Sequence, residues 1–401
     1  MGAASSTRAA ERAAREAYGR LIARLTARTG DLAAAEDALA DAFVSALERW
    51  PRDGVPARPE AWLLRVAQRR GIDATRRKAV RDRATSTLTQ VAEELEEAAR
   101  PDPRLQLMLV CAHPSIAANV RAPLMLQTVL GLDAKAIGQA FLVSPAAMGQ
   151  RLSRAKTKIK DAGIPFALED ARAHPERLAV ACEAIYAAFA TGSAPDAPSV
   201  RRGLVDEALW LGRVMHEVSG RAPETAGLLA LMLHVEARRP AQRRADGGFV
   251  PLDEQDPTRW DHEKLREAEA LLWAAGQART PGRFQLEAAI ASAHAHRGLT
   301  GHTDWTAVVA LYERLLTFAD TLGGRVGYLA ALAERDDPER AYALLLELPP
   351  DRVTSHQPYW ALRMHLERAT GRPHRDSAER AAALCEDPAV RAYLRARATD
   401  A

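Results

Sequence analysis

The chain has 401 residues, 47% hydrophobic and 27% charged, with aromatics at only 5%, and at roughly 100–200 residues per domain this predicts two or three cores. Gly (24) and Pro (23) stand near their average share, which excludes a collagenous or largely disordered chain, and no apolar run approaches the ~18–20 residues that cross a bilayer. Cys111, Cys182 and Cys385 lie far apart, so neither a disulfide framework nor a CxxC metal knuckle is expected. Met1 to Arg12 lacks the apolar core of a signal peptide, and a reducing, cytoplasmic setting follows as the expectation.

The net charge of +3 hides an asymmetry: through Pro165, 26 Lys+Arg face 18 Asp+Glu, and beyond it 29 face 34. A positive excess confined to one segment is the footprint of a polyanion binder. Arg outnumbers Lys 49 to 6, so the placement of charge carries the reading rather than its abundance.

Apolar residues recur at three- and four-residue spacing nearly throughout, and alternating β-branched runs are missing, which predicts an all-α protein. Breaks fall at Pro51–Pro56 with Pro59, at the acidic stretch of Glu93, Glu94, Glu96 and Glu97 before Pro101-Asp102-Pro103, and at Gly163-Ile164-Pro165. Later ones fall at Thr191–Val200, Ala245–Trp260, Thr300–Asp304, Gly323-Gly324 and Pro349-Pro350. The expected organisation is a first domain at 1–83, a linker at 84–100, a second domain at 101–165 and a helical C-terminal part at 170–401.

In the first block, Leu39, Phe43, Leu47 and Trp50 form one apolar stripe on a helix over Glu36–Trp50. Asp37, Asp41 and Glu48 share another face, either a solvated surface or an acidic docking surface for a basic partner. A helix begins near Pro59, where Pro is tolerated and Glu60 favours the dipole. Between Arg65 and Arg83 it carries Arg65, Arg69, Arg70, Arg76, Arg77, Lys78, Arg81 and Arg83 against Asp73 and Asp82. Such a charge excess calls for a partner, and a nucleic acid backbone supplies one by counterion release.

In the second block, Asp133 caps a short helix carrying Ile137, Ala140 and Phe141, Leu142-Val143 makes a turn, and Ser144-Pro145 starts another helix. That helix places Met148, Leu152, Ala155 and Ile159 on one side and Arg151, Arg154 and Lys158 on the other, with Lys156 and Lys160 nearby. This is helix-turn-helix organisation. Ser144, Ala146, Ala147, Gln150 and Arg151 are candidates for base contact, and Arg154, Lys156 and Lys158 for phosphate.

These two blocks resemble an RNA polymerase sigma factor of the extracytoplasmic-function type. The match runs over Asp31–Arg83, through Ala35-Glu36-Asp37-Ala38-Leu39-Ala40-Asp41-Ala42-Phe43, Trp50-Pro51, Ala61-Trp62-Leu63, Val66-Ala67, Ile72-Asp73 and Arg76-Arg77. It continues over Leu124–Pro165, notably Ala140-Phe141-Leu142-Val143-Ser144-Pro145 and Gln150-Arg151-Leu152-Ser153-Arg154-Ala155-Lys156. Asp102-Pro103-Arg104-Leu105 with Cys111-Ala112-His113-Pro114 is similar to a subgroup bearing a long C-terminal extension related to tetratricopeptide repeats.

The resemblance implies that Asp37, Asp41 and Glu48 meet core RNA polymerase at its β′ coiled coil, with the β flap as a further contact. It implies −10 promoter binding through the loop and helix holding Arg52, Arg58, Arg65, Arg69, Arg70, Arg76 and Arg77, where displaced single strand needs cations. It implies that Ser144–Lys160 reads the −35 duplex. Gln68-Arg69-Arg70 departs from the Arg-Asn-Arg string of many relatives, and neither an acidic inhibitory N-terminal region nor a region 3 domain is recognisable.

Residues 170–401 predict about ten more helices, including Arg201–Val218, Ala226–Arg238, Glu263–Ala278, Phe284–His296, Trp305–Phe318 and Arg340–Leu348. They are repeat-like, and stacked helix pairs offer a concave surface for a protein partner. The carboxylates of Asp246–Asp261 fail the calcium-loop order, so an ordered interdomain loop is expected there, with Trp260 buried and Arg259 paired to an acid. His216 and His234 read as core or surface residues. No nucleotide-binding or nucleophile motif appears, and no enzymatic activity, cofactor, metal or membrane partner is expected. The alternatives to a sigma factor are a stand-alone helix-turn-helix regulator with a protein-interaction solenoid and, more remotely, a metal-dependent hydrolase centred on Asp246–Asp261.

Overall fold

A computed structural model describes residues 17–76, 103–141, 143–164, 166, 175–193, 199–335 and 337–399, with 70–76, 199–202 and 399 described for the backbone alone. Contacts divide the chain into two compact units, one built on the residues up to Gly192 together with Ser199–Gly220, the other on Arg221 onward. The first unit thus reaches past the boundary expected near residue 165. Among the described residues both units are built of α-helices, and the pairing of Arg243 with Phe249 is an isolated β-bridge.

The first unit begins with α1 (17–29), α2 (Leu32–Asp53) and α3 (Pro59–Arg76). Asp31 starts α2 by accepting from the Ala34 N–H at 3.1 Å. The helix continues through Pro51, beyond the expected end at Trp50, and stops where Gly54 adopts φ 84° and donates to the Trp50 carbonyl. Pro51 has no N–H to offer the Leu47 carbonyl, so the last turn lacks that backbone bond. The α2–α3 contact centres on Trp50 and Trp62, whose rings meet edge to face at 5.5 Å.

The second block comprises α4 (Arg104–Cys111), α5 (Ala118–Leu130), α6 (Ala134–Ala140) and α7 (Pro145–Asp161). Asp133 caps α6 through the Ala136 N–H at 2.7 Å, and Ser144 caps α7 through that of Ala147 at 3.3 Å. Met148, Leu152, Ala155 and Ile159 are all buried, as their spacing predicts. The turn between the helices is tight enough that a Cβ on Gly138 would sit 2.7 Å from the Val143 carbonyl oxygen. Following α8 (Pro175–Ser193), α9 (Ser199–Val218) returns to pack on α4, α5 and α6.

The two blocks share a core. A Cβ on Gly19 would lie 2.4 Å from the Val129 carbonyl oxygen, so α1 and α5 touch backbone to backbone, and Gly131, at φ 73°, packs on the Tyr18 ring. α7 lies against α2.

The second unit is organised around α10 (Pro223–Ala237), buried on almost every side and flanked by α11 (His262–Gln277) and α12 (Arg283–Thr300). Gly227 allows the α10–α12 approach, since a Cβ there would meet the Gln285 amide nitrogen at 2.5 Å. Next come α13 (Trp305–Phe318), α14 (Leu322–Arg335), α15 (Pro338–Leu346), the single turn α16 (Pro350–Val353), α17 (Gln357–Ala369), α18 (Arg375–Ala383) and α19 (Pro388–Thr399). Neighbours pack in sequence order, with Leu329, Leu345 and Leu366 in one shared core.

The segment between α10 and α11 is an ordered loop with Trp260 buried at 3% exposure. Two expectations are corrected here. The loop lies inside the second unit rather than between units, and Arg259 donates to the Pro240 carbonyl rather than to a carboxylate. That carbonyl lies in the 3-10 turn Arg239–Ala241 that follows α10. The loop also joins the two ends of the helical array: Arg243 pairs with the nearly buried Asp387, Phe249 meets Tyr393 edge to face at 5.4 Å, and Arg397 reaches Glu254 at 2.8 Å.

Candidate functional site

The outer face of α2 follows from helical geometry. Leu32, Ala35, Leu39, Ala42, Ala46 and Trp50 recur at three and four residues and are buried. At about 100° per residue, Leu47 lies about 80° round from Leu39. It therefore leaves the expected apolar stripe and is 49% exposed, while Phe43 is half-buried. Asp37, Asp41 and Glu48 are exposed on this outer side, as is Val44 at 53%. Exposed apolar side chains ringed by carboxylates suit a partner that is itself mixed apolar and basic. Val44 and Leu47 carry no sequence signal of exposure by themselves; the three- and four-residue alanine spacing beside them does.

On the last turn of α2, the loop after it and α3, Arg52, Arg58, Arg65 and Arg69 are exposed, and Arg52 also donates to the Glu48 carbonyl. The side chains of Arg70 and Arg76 are not among those described, and Arg77 lies outside the described residues. Glu60, on the first turn of α3, is bound to Arg20 of α1 at 2.6 Å, which fixes the start of the basic helix against the first.

On α7, Ser144, Ala146, Gln150, Arg151, Arg154 and Lys158 are exposed and Ala147 half-buried. Arg154 donates to Gln150 one turn earlier at 3.2 Å. Ser153, Arg154, Thr157 and Lys158 line one open surface groove with Asp161. This outer side is cationic and open to a polyanion, and its first turn presents small side chains beside the cap, which lets a helix approach base edges closely.

Two lysines of α7 are engaged otherwise. Lys156 pairs with Glu36 and Lys160 with Asp31 at 2.7 Å, both on the opening turns of α2. Lys156 and Glu36 are only 11% and 15% exposed. Burial raises the Glu36 carboxyl above its ordinary range despite Lys156, and its negative charge adds to the burial that raises the nearby Tyr18 and pushes the Cys111 thiol up to about 12. Asp31 moves the other way, held down by its bond from Lys160. The candidate phosphate contact Lys156 is thus placed in the junction between the blocks, while Arg151, Arg154 and Lys158 face outward.

Residues 14–81 match the family profile of sigma-70 region 2. The N-terminal part of the chain is thus similar to sigma-70 region 2. Sigma-70 region 2 is the part through which sigma factors meet RNA polymerase and promoter DNA, and here it contains the whole acidic–apolar face of α2 and the described part of α3. Residues 177–276 match a family of unknown function, DUF6596. The chain also belongs to one family with an uncharacterised protein of Rhizobium meliloti (strain 1021), 36% identical over 374 residues that cover 90% of this chain and 88% of the relative. No solved structure matches it. None of the described helices is long and apolar enough to cross a membrane, and no cluster of metal-ligating residues occurs among the described residues.

Proposed function

We propose that this protein is a sigma-70 family promoter-specificity subunit of the extracytoplasmic-function type. α2 docks on core RNA polymerase through Asp37, Asp41, Val44, Leu47 and Glu48, with the β′ coiled coil as the receiving element and the β flap taking the second block. The loop and α3 bind the −10 region through Arg52, Arg58, Arg65, Arg69, Arg70, Arg76 and Arg77. α6 and α7 act as a helix-turn-helix on −35 duplex: Ser144, Ala146, Ala147, Gln150 and Arg151 at base edges, Arg154 and Lys158 on phosphate, with Lys156 joining them once released from Glu36. The repeat-like helices from Arg221 onward serve as an in-cis regulatory or polymerase-contacting module with a protein partner of their own.

The observation that carries this reading is the sigma-70 region 2 match falling on a helix whose exposed face is acidic and apolar, followed in the same chain by a Ser-capped helix with a cationic outer side. Reconstitution of the purified protein with core RNA polymerase, followed by run-off transcription on genomic fragments, tests it. Co-migration with core enzyme and discrete start sites are expected. Duplex binding of equal strength without polymerase would favour the stand-alone regulator instead.

A further inference from the structure

Both helices assigned to DNA, α3 and α7, belong to one compact unit. A unit of about 200 residues is roughly 45 Å across. Elements near −10 and −35 stand about 20–25 base pairs apart, or roughly 70–85 Å of duplex at about 3.4 Å each. α3 and α7 therefore cannot occupy both elements while the two blocks stay packed. The chain between Arg76 and Arg104 is long enough to span that distance when extended.

Two seams hold the blocks together. Along the first, α1 meets α5 backbone to backbone at Gly19 and Val129, and the Tyr18 ring lies where a Cβ on Gly131 would come within 3.0 Å. Along the second, α7 meets α2 through Lys156–Glu36 and through Lys160–Asp31 at 2.7 Å. The apolar seam supplies the adhesion, because the polar one is close to neutral in net energy. Burying Lys156 with Glu36 roughly balances desolvation against attraction. The second Glu36 oxygen, Oε1, is enclosed and meets no hydrogen-bond donor among the described residues, which costs further. Lys160 is 62% exposed, and ion pairs at a surface contribute little.

What the polar seam does control is the charge of α7. Glu36 and Asp31 occupy two of its cations, and Asp37, exposed beside Glu36 on the helix that lies against α7, adds a charge that repels phosphate.

We propose, on the reading of the chain as a promoter-specificity subunit, that this packing is a closed resting state which the protein must leave to engage a promoter, with Glu36 and Asp31 standing in for DNA phosphate on Lys156 and Lys160. The outer face of α2, with Asp37, Val44 and Leu47, is exposed in the closed state, so core polymerase binds there without opening. Opening is driven by partners that take the two blocks at separate places, since only these favour the open state over the closed one. It returns both lysines to the phosphate-facing set.

The Asp31–Lys160 contact allows the junction to be locked. Full-length protein with Asp31→Cys and Lys160→Cys is bridged by a reductant-cleavable bis-maleimide, in a Cys385→Ser background because Cys111 and Cys182 are buried. Core polymerase is expected to co-elute with the locked and the cleaved protein alike, within about twofold, whereas discrete run-off transcripts from genomic fragments fall at least about tenfold in the locked form and return on reduction. Spin labels at the exposed positions Ala33→Cys and Ala162→Cys follow the same motion without the lock. Their separation is expected to grow by at least about 25 Å between the free protein and its complex with polymerase and promoter. Locked protein that transcribes as well as the cleaved form, or a label separation unchanged in the promoter complex, overturns the closed resting state and leaves the promoter-specificity reading intact. An unlocked chain that neither binds core polymerase nor starts transcripts overturns that reading, and the resting state with it.

Discussion

Lys156 on α7 is ion-paired to Glu36 on α2, 120 positions earlier, and the pair is nearly closed to solvent. A buried pair adds little net stability, but losing one partner leaves an uncompensated charge. Lys156→Ala is expected to lower the unfolding free energy by about 3–5 kcal/mol, measured by urea denaturation. The double change Lys156→Met with Glu36→Leu is expected to recover most of that loss.

Arg154 behaves differently. Its described partner is Gln150 on its own helix, so Arg154→Ala should leave stability within about 0.5 kcal/mol. It should weaken promoter binding by the polymerase complex uniformly across sequences and reduce the salt slope by about one. Fluorescence anisotropy over a salt series reads both.

The outer face of α2 yields a third outcome. Leu47→Asp and Val44→Asp replace exposed side chains, so folding should be unaffected within about 0.5 kcal/mol. Affinity for core polymerase, read by co-elution and titration, should fall by roughly tenfold or more.

His234 predicts how the second unit responds to acid. It is fully buried and titrates at about 4, against an ordinary value of 6.5. The unfolded chain therefore binds the extra proton first, so this contribution is complete above pH 6.5 and disappears as pH falls towards 4. The loss amounts to roughly 3 kcal/mol. His234→Leu should flatten the dependence between those limits, as measured by denaturant midpoints across pH.

Local features were legible in the sequence because they depend on a few neighbouring residues. Asp133 and Ser144 cap where their side chains and positions require, and the core side of α7 follows from its spacing. The apolar stripe written through Leu47 failed because it advanced by four residues twice and drifted round the helix, whereas Ala42 and Ala46 hold the buried line. The engagement of Lys156 was not legible at all. It depends on the α1–α5 approach at Gly19 and Val129, between blocks that periodicity treats separately.

The clasp among Arg243, Asp387, Phe249, Tyr393, Glu254 and Arg397 bears on how the second unit comes apart. An open stack of helix pairs frays from its tips, each pair melting nearly on its own. Here the last helix is fastened to the loop that follows the first, across separations of about 144 residues, and no loose tip remains at which melting can start. The array is a hoop rather than a spring, and losing its final dozen residues would open the hoop at its seam.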